Sequence, residues 1–228
     1  MSDSSPKTLD FYFDYLSPFA YFATLLLPAL CRESGVQLRW RPVLFAALLD
    51  HWGQRGPAEI PPKAIHTFKL CVRFAALHGI PFRAPRFHPF NPLTALRVSL
   101  PEVAGEDQAK VVRSIFEAGW AGGANLGSPT DLEAVVGAVG LDGGRLIERT
   151  ADSEVKLALR TQTQLAIERG VFGIPTMIVD DELFWGVDQL PFLERYLAGN
   201  DPLANVELDA ILSEGRAAER PGSLRKDE

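Results

Sequence analysis

Hydrophobic and polar positions divide the chain into two terminal regions with strand patterns and a long middle region with helical patterns. Near the N-terminus, residues 9–13 form a mainly apolar and aromatic run, as expected of a strand that is covered on both faces. Residues 18–34 follow with apolar positions at helical spacing. Residues 37–43 then alternate between polar and apolar positions, which predicts a second strand.

The middle region, residues 44–170, has no strand pattern. Its apolar residues recur at helical spacing, and glycine- and proline-rich loops at residues 53–62 and 82–92 separate some of the helices. Thr130-Asp131-Leu132-Glu133 is a capping box, which predicts that a helix begins there. The other helices of this region are predicted at residues 45–52, 63–78, 93–100, 107–118, 143–149 and 152–168.

The C-terminal region returns to strand patterns. Residues 176–179 and 182–185 predict two antiparallel strands joined by a tight turn at Asp180-Asp181. A closing helix is predicted at residues 188–197, with Asp188 as its N-cap. The chain becomes polar after Gly199.

The order of these elements predicts the domain organisation. Strand, helix and strand come first, then the helical region, then two strands and a helix. This order predicts an α/β domain that is interrupted by an all-helical insertion. The expected boundaries are residues 8–44 and 171–199 for the discontinuous α/β domain, 45–170 for the insertion and 200–228 for a C-terminal tail.

Composition and charge exclude several function classes. The 228 residues are 46% apolar and 23% charged, so the chain can build a full core. The net charge of −6 disfavours a nucleic-acid partner, and no apolar run approaches the roughly 20 residues of a membrane span. The N-terminus lacks the pattern of a secretory signal. Cys31 and Cys71 are far apart and form no C-x-x-C motif, which predicts two buried thiols in a reducing cytoplasm.

Ser17 stands at the most informative position of the first region. It follows the first strand as the expected N-cap of a helix whose first residue is Pro18. A helix N-terminus at the carboxyl end of a strand favours an anion, so Ser17 presents a hydroxyl where a ligand can bind. The alternative interpretation is that Ser17 only caps the helix.

A nucleophilic serine would need a base, and a metal site would need clustered ligands. No histidine lies near Ser17 in the sequence, which argues against a serine nucleophile, although one could approach through folding. The four histidines show no metal-ligand spacing, so no metal is expected. They are His51, His66, His78 and His88.

The second informative stretch is Ile174-Pro175-Thr176, which opens an apolar strand. Proline is unusual there because it cannot donate to a sheet ladder. A cis peptide at Pro175 would let the preceding backbone turn its polar groups toward a ligand.

Together, Ser17-Pro18-Phe19-Ala20 and Ile174-Pro175 resemble the thioredoxin superfamily, in which a cis-proline loop faces the reactive group on the first helix. The match is closest to the glutathione-dependent 2-hydroxychromene-2-carboxylate isomerases and the kappa-class glutathione transferases. These proteins look like DsbA-type oxidoreductases in which C-x-x-C has become Ser-Pro-x-x. The resemblance covers residues 8–198 and implies a thioredoxin-like fold with a large all-helical insertion.

The resemblance implies a glutathione site with Ser17 as the catalytic residue. Ser17 would donate a hydrogen bond to the sulfur of bound glutathione and lower the pKa of its thiol. The backbone of Ile174, before Pro175, would pair with the cysteinyl part of the tripeptide. The carboxylate of Asp188 would meet the γ-glutamyl ammonium group, or Asp188 would merely cap the last helix. The implied clamp comprises Trp185, Gly186, Val187 and Asp188.

The activity that the resemblance implies is isomerisation of an unsaturated aromatic acid. The thiolate would add to a conjugated carbon, allow rotation and leave again, as in the interconversion of 2-hydroxychromene-2-carboxylate and trans-o-hydroxybenzylidenepyruvate. Arg55, Lys63 and His88 are the candidates for binding the acid, and solvated surface groups are the alternative. The loop at residues 53–63 and the segment at residues 87–91 do not carry the family's lysine and asparagine-arginine pattern, so a different aromatic or unsaturated acid remains open as the substrate.

Three other hypotheses remain open at this point. A kappa-like glutathione transferase or peroxidase would consume glutathione, whereas an isomerase would not. A binding module would keep the fold without the chemistry. A disulfide oxidoreductase is disfavoured because Ser17 and Ala20 occupy the two redox positions. The family also implies a homodimer, which no sequence feature indicates independently.

Overall fold

The computed structural model describes residues 7–207 and Ser213, so most of the predicted tail lies outside the described residues. Four strands form one mixed sheet in the order β2-β1-β3-β4. The pair β1/β2 is parallel, whereas β1/β3 and β3/β4 are antiparallel. The strands are β1 (Thr8–Phe13), β2 (Gln37–Pro42), β3 (Thr176–Val179) and β4 (Glu182–Trp185).

Ten α-helices accompany the sheet in the described residues. They are α1 (Pro18–Glu33), α2 (Phe45–His51), α3 (Pro61–His78), α4 (Leu93–Val98), α5 (Pro101–Ala104), α6 (Gln108–Trp120), α7 (Pro129–Ala138), α8 (Gly143–Arg149), α9 (Ser153–Glu168) and α10 (Leu190–Leu197). Eight of them, α2 to α9, stand between β2 and β3 in the chain. This arrangement confirms the predicted thioredoxin-like fold with a helical insertion.

The strand β1 lies inside the sheet, between β2 and β3, and is covered on both faces. Phe11 and Phe13 point into the main core, where Phe13 lies 5.6 Å from the ring of Phe116 on α6. Tyr12 points to the opposite face and packs with Val43 and Ile178. One continuous core therefore joins the sheet to the helical region, and the division of the chain into separate domains stays a prediction.

An ion cluster around the buried side chain of Asp10 ties β1 to its neighbours. The carboxylate of Asp10 accepts hydrogen bonds from Arg39 and Arg41 on β2 and from Arg169 after α9, all at 2.7–2.9 Å. Burial alone would raise the pKa of Asp10, but these hydrogen bonds outweigh it and hold the pKa below its usual value.

The tight turn between β3 and β4 was predicted correctly. Asp180 and Asp181 both have positive φ, at 49° and 68°, as a two-residue hairpin requires. Aspartate tolerates this conformation better than most residues do.

Three helix starts were predicted wrongly. The helix α3 begins at Pro61 rather than at residue 63, since a proline is tolerated in the first turn. The cap of α7 is Ser128, whose Oγ accepts from the Asp131 N–H at 3.2 Å, so the box begins two residues before Thr130. The closing helix α10 begins at Leu190, because Asp188 lies in a separate 3₁₀ turn, Val187–Gln189. Pro191, in the first turn of α10, suits a start at this position.

The helices of the described residues were compared with the length and apolarity that a membrane span requires. None of the helices there is both long and apolar enough to cross a bilayer.

Candidate active site

Ser17 lies in the turn that joins β1 to α1. Its N–H donates to the carbonyl oxygen of Asp14 at 3.1 Å, and its backbone is extended, with φ −98° and ψ 116°. The Oγ atom accepts a hydrogen bond from the Ala20 N–H at 3.2 Å. Ser17 is therefore the N-cap of α1, as predicted, and only 8% of the residue is exposed.

Capping uses only the acceptor capacity of the Ser17 hydroxyl. A hydroxyl also has one hydrogen to donate, and no acceptor for that hydrogen lies among the described residues. The N–H of Phe19 likewise has no partner there, since Pro18 and the capped Ala20 leave it as the open donor of the first turn. Two hydrogen-bond donors are thus free at the positive end of α1.

The carboxylate of Asp14 stabilises this turn through hydrogen bonds to the backbone. It accepts the Leu16 N–H at 3.0 Å and the Phe45 N–H of α2 at 2.9 Å. Complete burial raises the pKa of Asp14 to about 7, although the backbone donors partly oppose the shift. The side chain bridges the turn and the start of α2, and it makes no hydrogen bond to Ser17.

The cis-proline loop faces the same region. The Ile174–Pro175 peptide bond is cis, and Ile174 lines a cavity together with Ser17. In the described residues, neither the N–H nor the carbonyl oxygen of Ile174 has a hydrogen-bond partner. The carbonyl oxygen of Pro175 accepts from the Gly186 N–H at 2.8 Å, which joins this loop to the segment after β4.

A cavity of about 340 Å³ opens beside Ser17, between the N-terminus of α1, the helices α2 and α3, and the Ile174 loop. Its walls are mostly apolar and aromatic. The apolar side chains include Phe19, Phe45, Leu49, Phe68, Phe82 and Trp120, and the polar side chains are Ser17, Glu59, Thr67 and His88. The cavity thus suits a ligand with a flat apolar body.

His88 reaches the site through the loop between α3 and α4. Its Nε2 atom lies 2.9 Å from the carbonyl oxygen of Leu16, which can only accept, so Nε2 is the donor. The ring also lies against Trp120, with centroids 5.3 Å apart. Of the three predicted substrate-binding residues, His88 alone lines the cavity.

Arg55 and Lys63 lie outside the cavity lining. The Arg55 side chain is 68% exposed and faces Glu59, with its Nε 4.0 Å from a carboxylate oxygen of Glu59. Lys63 is exposed on the first turn of α3. This placement argues against a direct contact of either residue with a ligand in the cavity.

The predicted clamp begins at Trp185, the last residue of β4, and lies beside the cis-proline loop, outside the lining of the cavity beside Ser17. Trp185 is half exposed and packs edge-on against Phe172, with centroids 4.9 Å apart. Val187 is buried, whereas Asp188 is exposed. Gly186 has a φ of +105°, which few other residues adopt, and a Cβ there would come within 2.4 Å of Asp188 Oδ1.

Comparison with known proteins decides the family. The model of the DSBA-like thioredoxin domain matches residues 8–198. A 2-hydroxychromene-2-carboxylate isomerase from Sphingobium xenophagum is 34% identical over 194 residues, which cover 84% of this chain and 98% of the relative. The chain belongs to the 2-hydroxychromene-2-carboxylate isomerase family.

Two further similarities agree with this family. A solved structure of a 2-hydroxychromene-2-carboxylate isomerase superposes with a TM-score of 0.77 at 30% identity, covering 91% of this chain and all of the other. A kappa glutathione S-transferase from Caenorhabditis elegans is 27% identical, covering 84% of this chain and 92% of the relative. The prediction of an enzyme of the isomerase family, with kappa-class relatives, is confirmed.

Sequence reasoning missed several residues at the site of this isomerase-family chain. Asp14 is visible in the sequence as an acidic residue next to an apolar run, which signals a buried carboxylate, but nothing local indicates that it binds α2. Phe68 and Cys71 follow the helical pattern of α3 and were predicted only as helix. Their place in the cavity wall depends on how α3 crosses the N-terminus of α1.

Proposed function

We propose that the protein is a glutathione-dependent isomerase of the 2-hydroxychromene-2-carboxylate type, in which Ser17 holds the sulfur of bound glutathione as a thiolate. The observation that carries this proposal is that the Ser17 hydroxyl accepts a hydrogen bond but donates none within the described residues. The hydroxyl is fixed by the cap to α1, its hydrogen is free to donate, and it lies on the wall of an apolar cavity.

Glutathione fits the groups that are available at this site. The unpaired backbone of Ile174 can pair with the cysteinyl residue of the tripeptide as an added strand. We assign the exposed carboxylate of Asp188 as the acceptor for the γ-glutamyl ammonium group. Asp188 stands two residues after Gly186, whose N–H donates to the carbonyl oxygen of Pro175. The position of this carboxylate is set by the three residues that precede it at the end of β4, which are Trp185, Gly186 and Val187.

The donors at α1 account for activation of the sulfur. A hydroxyl and a backbone N–H stabilise a thiolate more than a thiol, and the helix dipole acts in the same sense. Ser17 and Phe19 supply these two donors. Bound glutathione supplies a nucleophilic sulfur that can add to a conjugated carbon of the substrate and leave again after rotation.

Ser17 acts in this account as a hydrogen-bond donor rather than as a nucleophile. A nucleophilic serine needs a base within hydrogen-bond reach, and Ser17 has none among the described residues. His88 uses its Nε2 on Leu16, and the Asp14 oxygens accept from Leu16 and Phe45.

The substrate that we infer is a small unsaturated aromatic acid. The aromatic wall formed by Phe68, Phe82 and Trp120 suits the ring. With Nε2 donating to Leu16, the Nδ1 face of His88 is left to interact with a polar group of the substrate. Arg55 and Lys63 could then act only at longer range, through their positive charge.

The experiment measures isomerisation and glutathione consumption in one reaction. Purified protein is mixed with 2-hydroxychromene-2-carboxylate and less than one equivalent of glutathione, and the trans product is followed by absorbance. Many turnovers per glutathione, abolished in Ser17→Ala and retained in Ser114→Ala on α6, are expected. Absence of isomerisation, with conjugation of 1-chloro-2,4-dinitrobenzene or reduction of hydrogen peroxide instead, would favour the kappa-like transferase or peroxidase.

We also propose that the protein is a cytoplasmic homodimer. The support for self-association is α3, which exposes apolar side chains on more than one face: Ile65, Phe68, Leu70, Val72 and Leu77. A helix that is apolar on several faces normally packs against a partner. Sedimentation velocity at micromolar concentration tests the dimer, and a monomer would contradict it. The two free thiols, Cys31 and Cys71, suit a reducing compartment.

A further inference from the structure

A second cavity, distinct from the one beside Ser17, lies on the other side of α2. It has a volume of about 350 Å³ and is bounded by α2, α4 and α9. Leu44, Ala47, Leu93 and Leu159 form much of its apolar wall. Its size falls in the range of about 300–1,000 Å³ that is typical of small-molecule sites.

Three cationic side chains line this second cavity. Arg97 comes from α4, and Lys156 and Arg160 come from α9. Lys156 and Arg160 are four residues apart, a spacing that puts them on one helix face, where like charges repel. No aspartate or glutamate lines the cavity, although the whole chain carries a net charge of −6.

The three cations lack partners among the residues that the structure describes. Among residues 7–207, none of their side chains makes a hydrogen bond or an ion pair. The Nε atom of Arg97 is buried without any acceptor, and burial lowers the pKa of this guanidinium. Buried donors in folded proteins are nearly always paired, so the Nε of Arg97 is available to an acceptor that enters the cavity, whereas Lys156 and Arg160 are exposed at its rim.

We propose that the second cavity binds an organic anion with an apolar body, such as an aromatic carboxylate. The anionic group lies among Arg97, Lys156 and Arg160, and it accepts a hydrogen bond from the buried Nε of Arg97. The apolar body lies against Leu93 and Leu159. An inorganic anion would satisfy the charges but would leave the apolar wall without a partner.

The helix α2 separates the two sites. Leu44 and Ala47 face the second cavity, whereas Phe45, Ala46 and Leu49 face the cavity beside Ser17. The N–H of Leu44 donates to Thr163 Oγ1 on α9 at 3.1 Å, which fixes the start of α2 at the second cavity. The proposal therefore does not depend on glutathione or on Ser17.

Calorimetric titration with 2-naphthoate tests the proposal, with 2-naphthylmethanol as its neutral analogue. The wild type is compared with Arg97→Gln, Arg160→Gln and, as a matched control, Arg145→Gln, an exposed position on α8 outside the cavity. We expect each cavity variant to weaken binding of 2-naphthoate at least tenfold, because a charge-assisted hydrogen bond is lost. Arg145→Gln is expected to bind like the wild type, and Phe68→Ala, in the wall of the first cavity, is expected to retain the binding in the second cavity.

Four results would overturn the proposal. Unchanged binding in Arg160→Gln, whose exposed side chain can be replaced without loss of folding, would place the ligand elsewhere. Loss of binding in Phe68→Ala would assign it to the first cavity. Equal affinity for 2-naphthylmethanol would exclude recognition of the anion, and equal affinity for inorganic phosphate would exclude a role for the apolar wall. Failure of the isomerisation assay would leave this proposal intact.

Discussion

The Nε2 atom of His88 donates a hydrogen bond to the carbonyl oxygen of Leu16 at 2.9 Å, across 72 residues of sequence. Leu16 immediately precedes Ser17, so the loop between α3 and α4 contacts the turn that presents the proposed catalytic hydroxyl. The same ring lines the cavity and packs against Trp120. His88 thus belongs both to the support of the turn and to the cavity wall.

Replacement of His88 by alanine is expected to weaken catalysis more than glutathione binding. The variant loses one hydrogen bond, worth about 0.5–1.5 kcal/mol of stability, and one polar group in the cavity. We predict a fall of about tenfold in kcat/KM for the aromatic acid. His66→Ala, an exposed position on α3, serves as control. Steady-state kinetics that leave His88→Ala equal to His66→Ala would contradict this role.

Gly173 must remain glycine because Trp185 occupies the space of its missing side chain. A Cβ at this position would lie 2.4 Å from Trp185 Nε1. We expect Gly173→Ala to lower the free energy of unfolding by about 1–3 kcal/mol and to weaken glutathione binding, because Trp185 must move away from the cis-proline loop.

The control for this substitution is Gly137→Ala on α7. No atom lies within 4 Å of a Cβ built at Gly137, and an alanine in a helix stabilises by about 0.5–1 kcal/mol relative to glycine. Urea denaturation of the two variants should therefore give shifts of opposite sign. A stability of Gly173→Ala equal to that of the wild type would refute the steric argument.

Asp14 is expected to make the stability of the protein depend on pH. Its pKa is about 7 in the folded protein and near the ordinary 3.8 when unfolded. The folded state therefore holds this proton more tightly, so the contribution of Asp14 to stability is present at low pH and falls as the pH rises from about 4 to about 7.

The comparison of wild type with Asp14→Asn measures this contribution. The free energy of unfolding of the wild type, minus that of the variant, should fall by about 2.5 kcal/mol between pH 5 and pH 8. Glu106→Gln, an exposed acid, should show no such trend. A difference that stays constant or increases with pH would show that Asp14 ionises normally in the folded protein.

The parts of the fold and the site that are set by residues adjacent in the sequence could be predicted from the sequence. The apolar run of β1, the cap at Ser17 and the proline at the start of β3 are local patterns, and each has the expected place in the structure. The Asp180-Asp181 turn is equally local, since only the two central residues decide its type.

The parts that depend on packing could not be predicted. Arg55 was expected to meet the carboxylate of the substrate as a cation, but its side chain is exposed and donates to the carbonyl oxygen of Glu59 at 3.2 Å. Asp188 was expected to cap the last helix, but the positive φ of Gly186 starts a 3₁₀ turn there and Asp188 falls inside it. Nothing in the separate patterns of α4 and α9 indicates that their cations meet at the second cavity.

The most direct test of the central proposal is ultraviolet difference absorbance of the thiolate as glutathione is titrated into the protein at neutral pH. The wild type should show bound thiolate, and Ser114→Ala should match it. Ser17→Ala should lose most of the signal, because the loss of one hydrogen bond to the sulfur raises the apparent pKa of the bound thiol by about 1–2 units. An equal thiolate signal in Ser17→Ala and wild type, or binding without thiolate in the wild type, would contradict the role assigned to Ser17.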